Sequence, residues 1–177
     1  MREIVSSIEQ EYLRYKGMAE GVFDQLDEAQ VATPLSDNGN SVATLVWHMS
    51  GNLKSRFTDF LTEDGEKPWR GREEEFARRQ VSIDEMRAKW AEGWSVLLGT
   101  VATLTDDDLR RQVTIRRQPL KVHEALHRSL AHVALHVGQM ILIGKTLKGE
   151  GWRYLSIPPG QSDAYNLNPT MEKPTKS

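Results

Sequence analysis

The sequence of 177 residues contains no cysteine. Disulfide bonds, thiolate metal ligands and a cysteine nucleophile are therefore excluded, and histidine and carboxylate side chains remain as candidate metal ligands. A surplus of basic charge is also missing, because 23 Lys and Arg residues face 25 Asp and Glu residues, for a net charge of −2. This balance argues against a nucleic-acid partner.

Long apolar runs are missing as well. No stretch of about 18 uninterrupted apolar residues occurs, so the sequence predicts no membrane span. The first ten residues, MREIVSSIEQ, are too polar for a signal peptide. We therefore expect a cytoplasmic protein with no membrane partner. Its length and its 38% hydrophobic content predict one domain with its own core, which we assign to 1–165, with a flexible polar tail over 166–177.

What the chain does contain is apolar residues at helical spacing. Steps of three and four between apolar residues predict four helices, so the expected fold class is all-α. In order, these are a helix over 2–28, one capped by Ser41, one opened by the capping box Ser82–Glu85, and one from about Val122 to Lys148 with Gly149 as C-cap. Loops are expected over 29–40 and 62–81, and a short hairpin or extended connection over 109–120.

The last predicted helix carries His132 and His136, four residues apart. Four residues advance a helix by about 400° and about 6 Å, so both rings lie on one face and can converge on one metal ion. Arg128 and Gln139 fall in the same arc of about 80°. The alternative is a pair of histidines in a polar seam of a helical core.

A third histidine, His48, lies on the second predicted helix. Asn52 and Arg56 follow it at i+4 and i+8, just beside the apolar stripe of that helix. Such a polar line is expected where a helix borders an internal cavity, although it could equally mark the boundary between core and solvent. Together with the pair on the last helix, His48 predicts a three-histidine metal site that joins two helices.

A competing motif precedes that pair on the same helix. His123-Glu124-Ala125-Leu126-His127 matches H-E-x-x-H, the signature of zinc metalloproteases. At about 100° per residue, these two histidines lie about 180° from the other pair, so the two pairs cannot share an ion. No third ligand is at hand, so we expect His123 and His127 to lie on the surface or in a dimer contact.

The last helix is apolar on more than one side, and such a helix must be covered nearly all round. One bundle core covers only one side. A second copy of the chain is the simplest cover for the other, so the sequence predicts a homodimer.

Several of these residues together resemble the DinB-like superfamily. The resemblance lies in Trp47-His48 with Gly51-Asn52, in His132-Val-Ala-Leu-His136-Val-Gly-Gln139, and in the segments 64–70 and 155–162. It covers nearly the whole chain and matches a subfamily whose members are mostly uncharacterised. It implies a four-helix bundle of DinB type, usually dimeric, in which His48, His132 and His136 hold a divalent metal ion.

Three imidazoles leave at least one coordination position open, as in catalytic sites, and they suit Zn²⁺ and Ni²⁺ alike. The superfamily includes thiol-dependent transferases and isomerases. By resemblance, we expect a metal-dependent enzyme that activates a low-molecular-weight thiol or water against a small electrophilic substrate. Gln139 and Asn52 would orient a ligand, and Arg56 or Arg128 would pair with a substrate carboxylate.

The alternative is a metal-containing binding or stress-response protein without turnover. No obvious general base lies next to the three histidines in the sequence, which weakens the case for a hydrolase.

Overall fold

The structure, a computed structural model, describes residues 1–170. Most of the tail predicted over 166–177 lies outside these residues. In chain order the elements are α1 (Glu3–Phe23), α2 (Glu28–Ala32), α3 (Val42–Phe57), α4 (Arg72–Glu75), α5 (Ile83–Thr103), a 3-10 turn (Asp106–Arg110), β1 (Gln112–Ile115), β2 (Gln118–Lys121), α6 (Val122–Lys148), a second 3-10 turn (Gly149–Gly151) and α7 (Ser162–Asn166). The four long helices, α1, α3, α5 and α6, form the bundle, which confirms the predicted fold class.

The first helix is shorter than predicted. It ends at Phe23, and a separate short helix follows at Glu28. The break has a local cause, because Asp27 accepts a hydrogen bond from the Gln30 amide while the Gln30 side chain accepts one from the Asp27 amide. This capping box starts a new helix within the segment 29–40 that we expected to be a loop.

The other helix boundaries follow the sequence signals. Ser41 accepts a hydrogen bond from the Thr44 amide, and Ser82 accepts one from the Glu85 amide. Gly149 ends α6 with φ at +59°, where a side chain would be strained. The expected loop over 62–81 is irregular apart from the single turn of α4.

The core is built around aromatic side chains from α1, α3 and α5. Tyr12 packs edge-on against Phe57 and Trp94, with ring centroids 6.5 and 6.3 Å away. Its hydroxyl donates to the carbonyl of Leu126 on α6. These contacts bury apolar surface, which stabilises the fold by about 25 cal/mol per Å² of buried area. They also fix α3 and α6 relative to each other.

Along its length, α6 combines a buried face with an exposed apolar one. Val133, Val137 and Met140 are fully buried, whereas Leu135 and Leu142 are 60% and 61% exposed. By length and composition alone, the span Val122–Gly151 could cross a membrane. A core helix of a bundle passes the same test of length and composition, and the buried side chains of this helix pack inside the bundle.

The predicted hairpin is present, and β1 and β2 pair antiparallel with Val113 opposite Leu120. Its turn places Arg116 and Arg117 at φ of +54° and +64°, a conformation that costs energy for residues other than glycine. Asp64 compensates, because its carboxylate accepts hydrogen bonds from both backbone amides at 2.8 and 2.7 Å. The long loop after α3 therefore holds the hairpin against the bundle.

Candidate metal centre

Three histidine side chains meet at one point between α3 and α6. The Nε2 atom of His132 lies 3.2 Å from Nε2 of His48 and 3.0 Å from Nε2 of His136. One nitrogen from each ring lies within 4.8 Å of the others, and this is the single group with metal-ligand spacing among residues 1–170. The structure thus brings together the three histidines that the sequence predicted.

Hydrogen bonds at the far side of two rings decide which nitrogen is free. His48 Nδ1 lies 2.9 Å from Glu75 Oε2, and His136 Nδ1 lies 2.8 Å from Gln139 Oε1. Both acceptors are oxygens, so each Nδ1 carries the proton and each Nε2 presents a lone pair towards His132.

Glu75 is itself held in place from two directions. Arg70 donates to both of its carboxylate oxygens, at 2.7 and 2.8 Å. The side chain of Arg70 is 2% exposed and that of Glu75 is 8% exposed. On the other side, Glu75 lies against Gly51, where an added Cβ would be 2.1 Å from Oε1. The bare backbone of α3 at Gly51 therefore makes the space for the carboxylate that orients His48.

The electrostatics favour neutral imidazoles. Burial, together with the charges of neighbouring groups, lowers the pKa of His132 to about 3. Burial likewise lowers the pKa of His136, against the opposing effect of the Gln139 hydrogen bond. Burial alone would raise the pKa of Glu75, but the hydrogen bonds from Arg70 and His48 outweigh it and leave that pKa below its usual range. A histidine binds a metal ion through a neutral imidazole, and the lowered pKa values leave the rings of His132 and His136 neutral at pH 7.

This donor set fits a divalent cation. The lone pairs of His48 and His136 lie 3.2 and 3.0 Å from Nε2 of His132; a single N–H of His132 can point at only one of them, whereas a cation between the rings can bind all three nitrogens. A single ion with Zn–N bonds of about 2.1 Å would place its nitrogen ligands about 3.0 to 3.4 Å apart. An outer-shell carboxylate on one ring and an amide oxygen on another are the usual supports of metal-binding histidines.

The three rings open onto a cavity of about 300 Å³, which we call the histidine pocket. Its lining is made of cationic, aromatic and small side chains from α3, the loop around α4, the hairpin and α6: His48, Asn52, Arg56, Phe57, Phe60, Arg70, Arg72, Phe76, Ile115, Arg116, Ala125, Arg128, Ser129, His132 and His136. Phe76 packs on the His48 ring, with centroids 4.6 Å apart.

The residues predicted to act around the metal ion occupy different places. Asn52, Arg56 and Arg128 line the pocket. Gln139 hydrogen-bonds to the back of the His136 ring rather than lining the cavity. Arg56 is engaged already, since it donates to the Gly65 carbonyl and to Glu66 Oε2.

The H-E-x-x-H segment forms no part of this centre. Its two rings lie 6.0 Å apart, and together with Asp106 they border a different surface cavity near the start of α1. The glutamate of the motif, Glu124, accepts a hydrogen bond from the Lys121 amide at 2.6 Å. This carboxylate caps the first turn of α6.

Sequence reasoning missed Glu75, Arg70 and the role of Gly51. Glu75 belongs to the run Glu73-Glu74-Glu75, which resembles any solvated acidic turn. One signal was present in the sequence: Gly51 lies in the middle of the helical pattern of α3, where no turn requires a glycine. It indicates a close contact but does not identify Glu75 as the partner.

Comparisons with known proteins give a family and a fold. Residues 1–161 match a family described as "Protein of unknown function (DUF1572)". The crystal structure of a DinB-like protein from Bacillus cereus ATCC 10987 aligns with a TM-score of 0.63 at 14% identity, over 80% of this chain and 91% of that one. That likeness shows the fold. No curated protein matches the chain.

Proposed function

The chain belongs to the DUF1572 family and has the DinB-like fold, and from this premise we propose that it is a metal-dependent enzyme. In this proposal it joins a small thiol, or water, to a small electrophilic substrate, as a transferase or isomerase of the DinB-like superfamily. The observation that carries the proposal is the convergence of three Nε2 atoms on a cavity large enough for a small molecule.

His48, His132 and His136 would hold the divalent ion, with Zn²⁺ and Ni²⁺ as the leading candidates. Bound by three imidazoles, such an ion would supply open coordination positions and would favour the deprotonated form of a thiol or water placed there. Glu75 and Gln139 keep two Nε2 atoms free for this task.

The pocket supplies the rest of the reaction environment. Phe57, Phe60 and Phe76 line the cavity and give it an apolar part beside the arginines. Asn52 lines the pocket, and its side-chain amide would orient the substrate there. Within residues 1–170, no Asp or Glu lines the cavity, so proton transfer to a carboxylate base has no support and activation of a thiol is favoured over hydrolysis.

A conjugation assay tests this proposal. Purified protein is loaded with Ni²⁺ or Zn²⁺ and mixed with a panel of low-molecular-weight thiols and the electrophile 1-chloro-2,4-dinitrobenzene. The thiol displaces chloride from the ring, and the absorbance of the resulting dinitrophenyl thioether is followed. We expect thiol consumption above the uncatalysed rate, abolished by chelator and by His136→Ala. The variant His123→Ala, on the same helix, should retain the activity.

Metal binding without turnover for any thiol or electrophile would contradict the enzyme and favour the alternative, a metal-containing binding protein. Activity that survives both chelator and His136→Ala would contradict the metal site itself.

We also propose that the chain forms a homodimer through the exposed face of α6. Ala131, Leu135, Gly138 and Leu142 are exposed there at steps of three and four, and an apolar stripe of this spacing is usually covered by another helix. Leu135→Glu should shift the protein from dimer to monomer in sedimentation equilibrium, whereas Leu13→Glu, on α1, should not. A wild-type monomer at micromolar concentration would refute the dimer. For the compartment, we propose the cytoplasm.

A further inference from the structure

The histidine pocket is unusually cationic for a protein with a net charge of −2. Five arginines line it. Among the described residues, the lining contains no carboxylate to balance them. Positive charge that lines a cleft raises the local concentration of anionic ligands there.

Most of these guanidinium groups already have partners just outside the lining. Arg70 is bound by Glu75, while Arg56 and Arg116 share Glu66, at 3.1 and 2.9 Å. The remaining paired group is Arg72, which lies 3.0 Å from Glu73. Three carboxylates thus serve four arginines.

Arg128 is the exception. It lines the pocket, yet within residues 1–170 it has no hydrogen bond, ion pair or ring contact. A guanidinium group offers five donors in a planar fork that matches the two oxygens of a carboxylate. The structure therefore separates the two candidates from the sequence: Arg56 is bound by the protein, and Arg128 is free for a ligand.

Arg128 also stands at a useful distance from the three histidines. It precedes His132 by four residues on α6, which places it about 6 Å further along the axis and about 40° around it. A molecule anchored at Arg128 by one end reaches the histidine nitrogens with an atom a few bonds away. Arg116 adds positive charge to the same pocket from the hairpin turn that Asp64 holds in place.

We infer that the substrate of the histidine pocket is a small organic acid whose carboxylate binds Arg128. The identity of this class as substrate rests on the proposed function, but the binding of the anion does not require the metal ion. The two can therefore be tested separately on the same protein.

The test compares succinate with succinamide, its uncharged analogue of nearly the same shape, by titration calorimetry on the full-length protein with and without Ni²⁺. We expect succinate to bind at least about tenfold more tightly than succinamide in both forms. Arg128→Gln should remove that preference, and Arg128→Lys should restore part of it. Arg14→Gln, an equal loss of charge on the exposed side of α1, should leave the preference unchanged.

Equal affinity for succinate and succinamide, or an unchanged preference in Arg128→Gln, would overturn the inference. If Ni²⁺ fails to bind but the preference for succinate and its loss in Arg128→Gln are seen, anion recognition is supported while the proposed function fails. If Ni²⁺ binds and the preference is missing, the inference fails while the metal site stands.

Discussion

His132→Ala is expected to reduce Ni²⁺ or Zn²⁺ affinity by roughly a thousandfold, which exceeds the 10- to 100-fold loss typical of outer-shell partners. His132 is the central member of the triad, because its Nε2 lies within 3.2 Å of Nε2 of both other histidines. Its removal leaves only two imidazole ligands, those of His48 and His136. Equilibrium dialysis with elemental analysis of the retained metal measures the affinity.

The matched control is His127→Ala, which makes the same change on the same helix at an exposed position. It should bind the ion as wild type does. Circular dichroism should show intact helices in both variants, since the aromatic core around Tyr12 does not involve His132. Undiminished binding in His132→Ala, or an equal loss in His127→Ala, would show that the ion binds elsewhere.

Gly51→Ala is expected to weaken metal binding about 10- to 100-fold without touching a ligand. The new methyl group would lie 2.1 Å from Glu75 Oε1 and 2.7 Å from its Cδ, so the carboxylate must leave its place beneath His48. His48 then loses the hydrogen bond that fixes its tautomer, and Arg70 loses its buried counter-ion. We expect a fall in unfolding free energy as well, since an unpaired buried charge is costly.

Glu75→Gln separates the steric effect of the added methyl group from the loss of the carboxylate charge, because it keeps the side-chain volume and removes only the charge. If Gly51 acts through Glu75, the double variant should bind metal no more weakly than Gly51→Ala alone. Gly17→Ala is the matched control: nothing lies within 4 Å of an added Cβ there, and the change should stabilise α1 by up to about 1 kcal/mol. If Gly51→Ala binds metal with wild-type affinity, Glu75 does not support metal binding.

The sequence predicted the parts of this molecule whose causes are local. The spacing of His132 and His136 fixes their common face, and the serine caps and Gly149 mark helix ends through interactions within a few residues. The early end of α1 also had a local cause, the Asp27–Gln30 capping box, and the pattern D-x-x-Q was readable in the sequence.

What sequence reasoning missed depends on contacts between distant segments. Nothing in the run Glu73-Glu74-Glu75 singles out the third glutamate, since only the path of the loop brings it under His48. The hairpin turn was likewise hard to place, because Arg116-Arg117 lacks the Asn-Gly or Asp-Gly pattern that usually announces such a turn. The carboxylate of Asp64, some fifty residues earlier in the chain, supplies what those residues lack.

The wide separation of His48 from His132 in the chain has a consequence for how the protein responds to metal supply. In the unfolded polypeptide only neighbouring histidines are close together, so an ion held by all three histidines would bind the native state far more strongly than the denatured one. Each tenfold excess of free ion over its dissociation constant then adds about 1.4 kcal/mol to the stability of the native protein. Because the contacts of Tyr12 in the aromatic core do not include the three histidines, we expect a metal-starved cell to hold a folded but less heat-resistant apoprotein, ready to be reloaded.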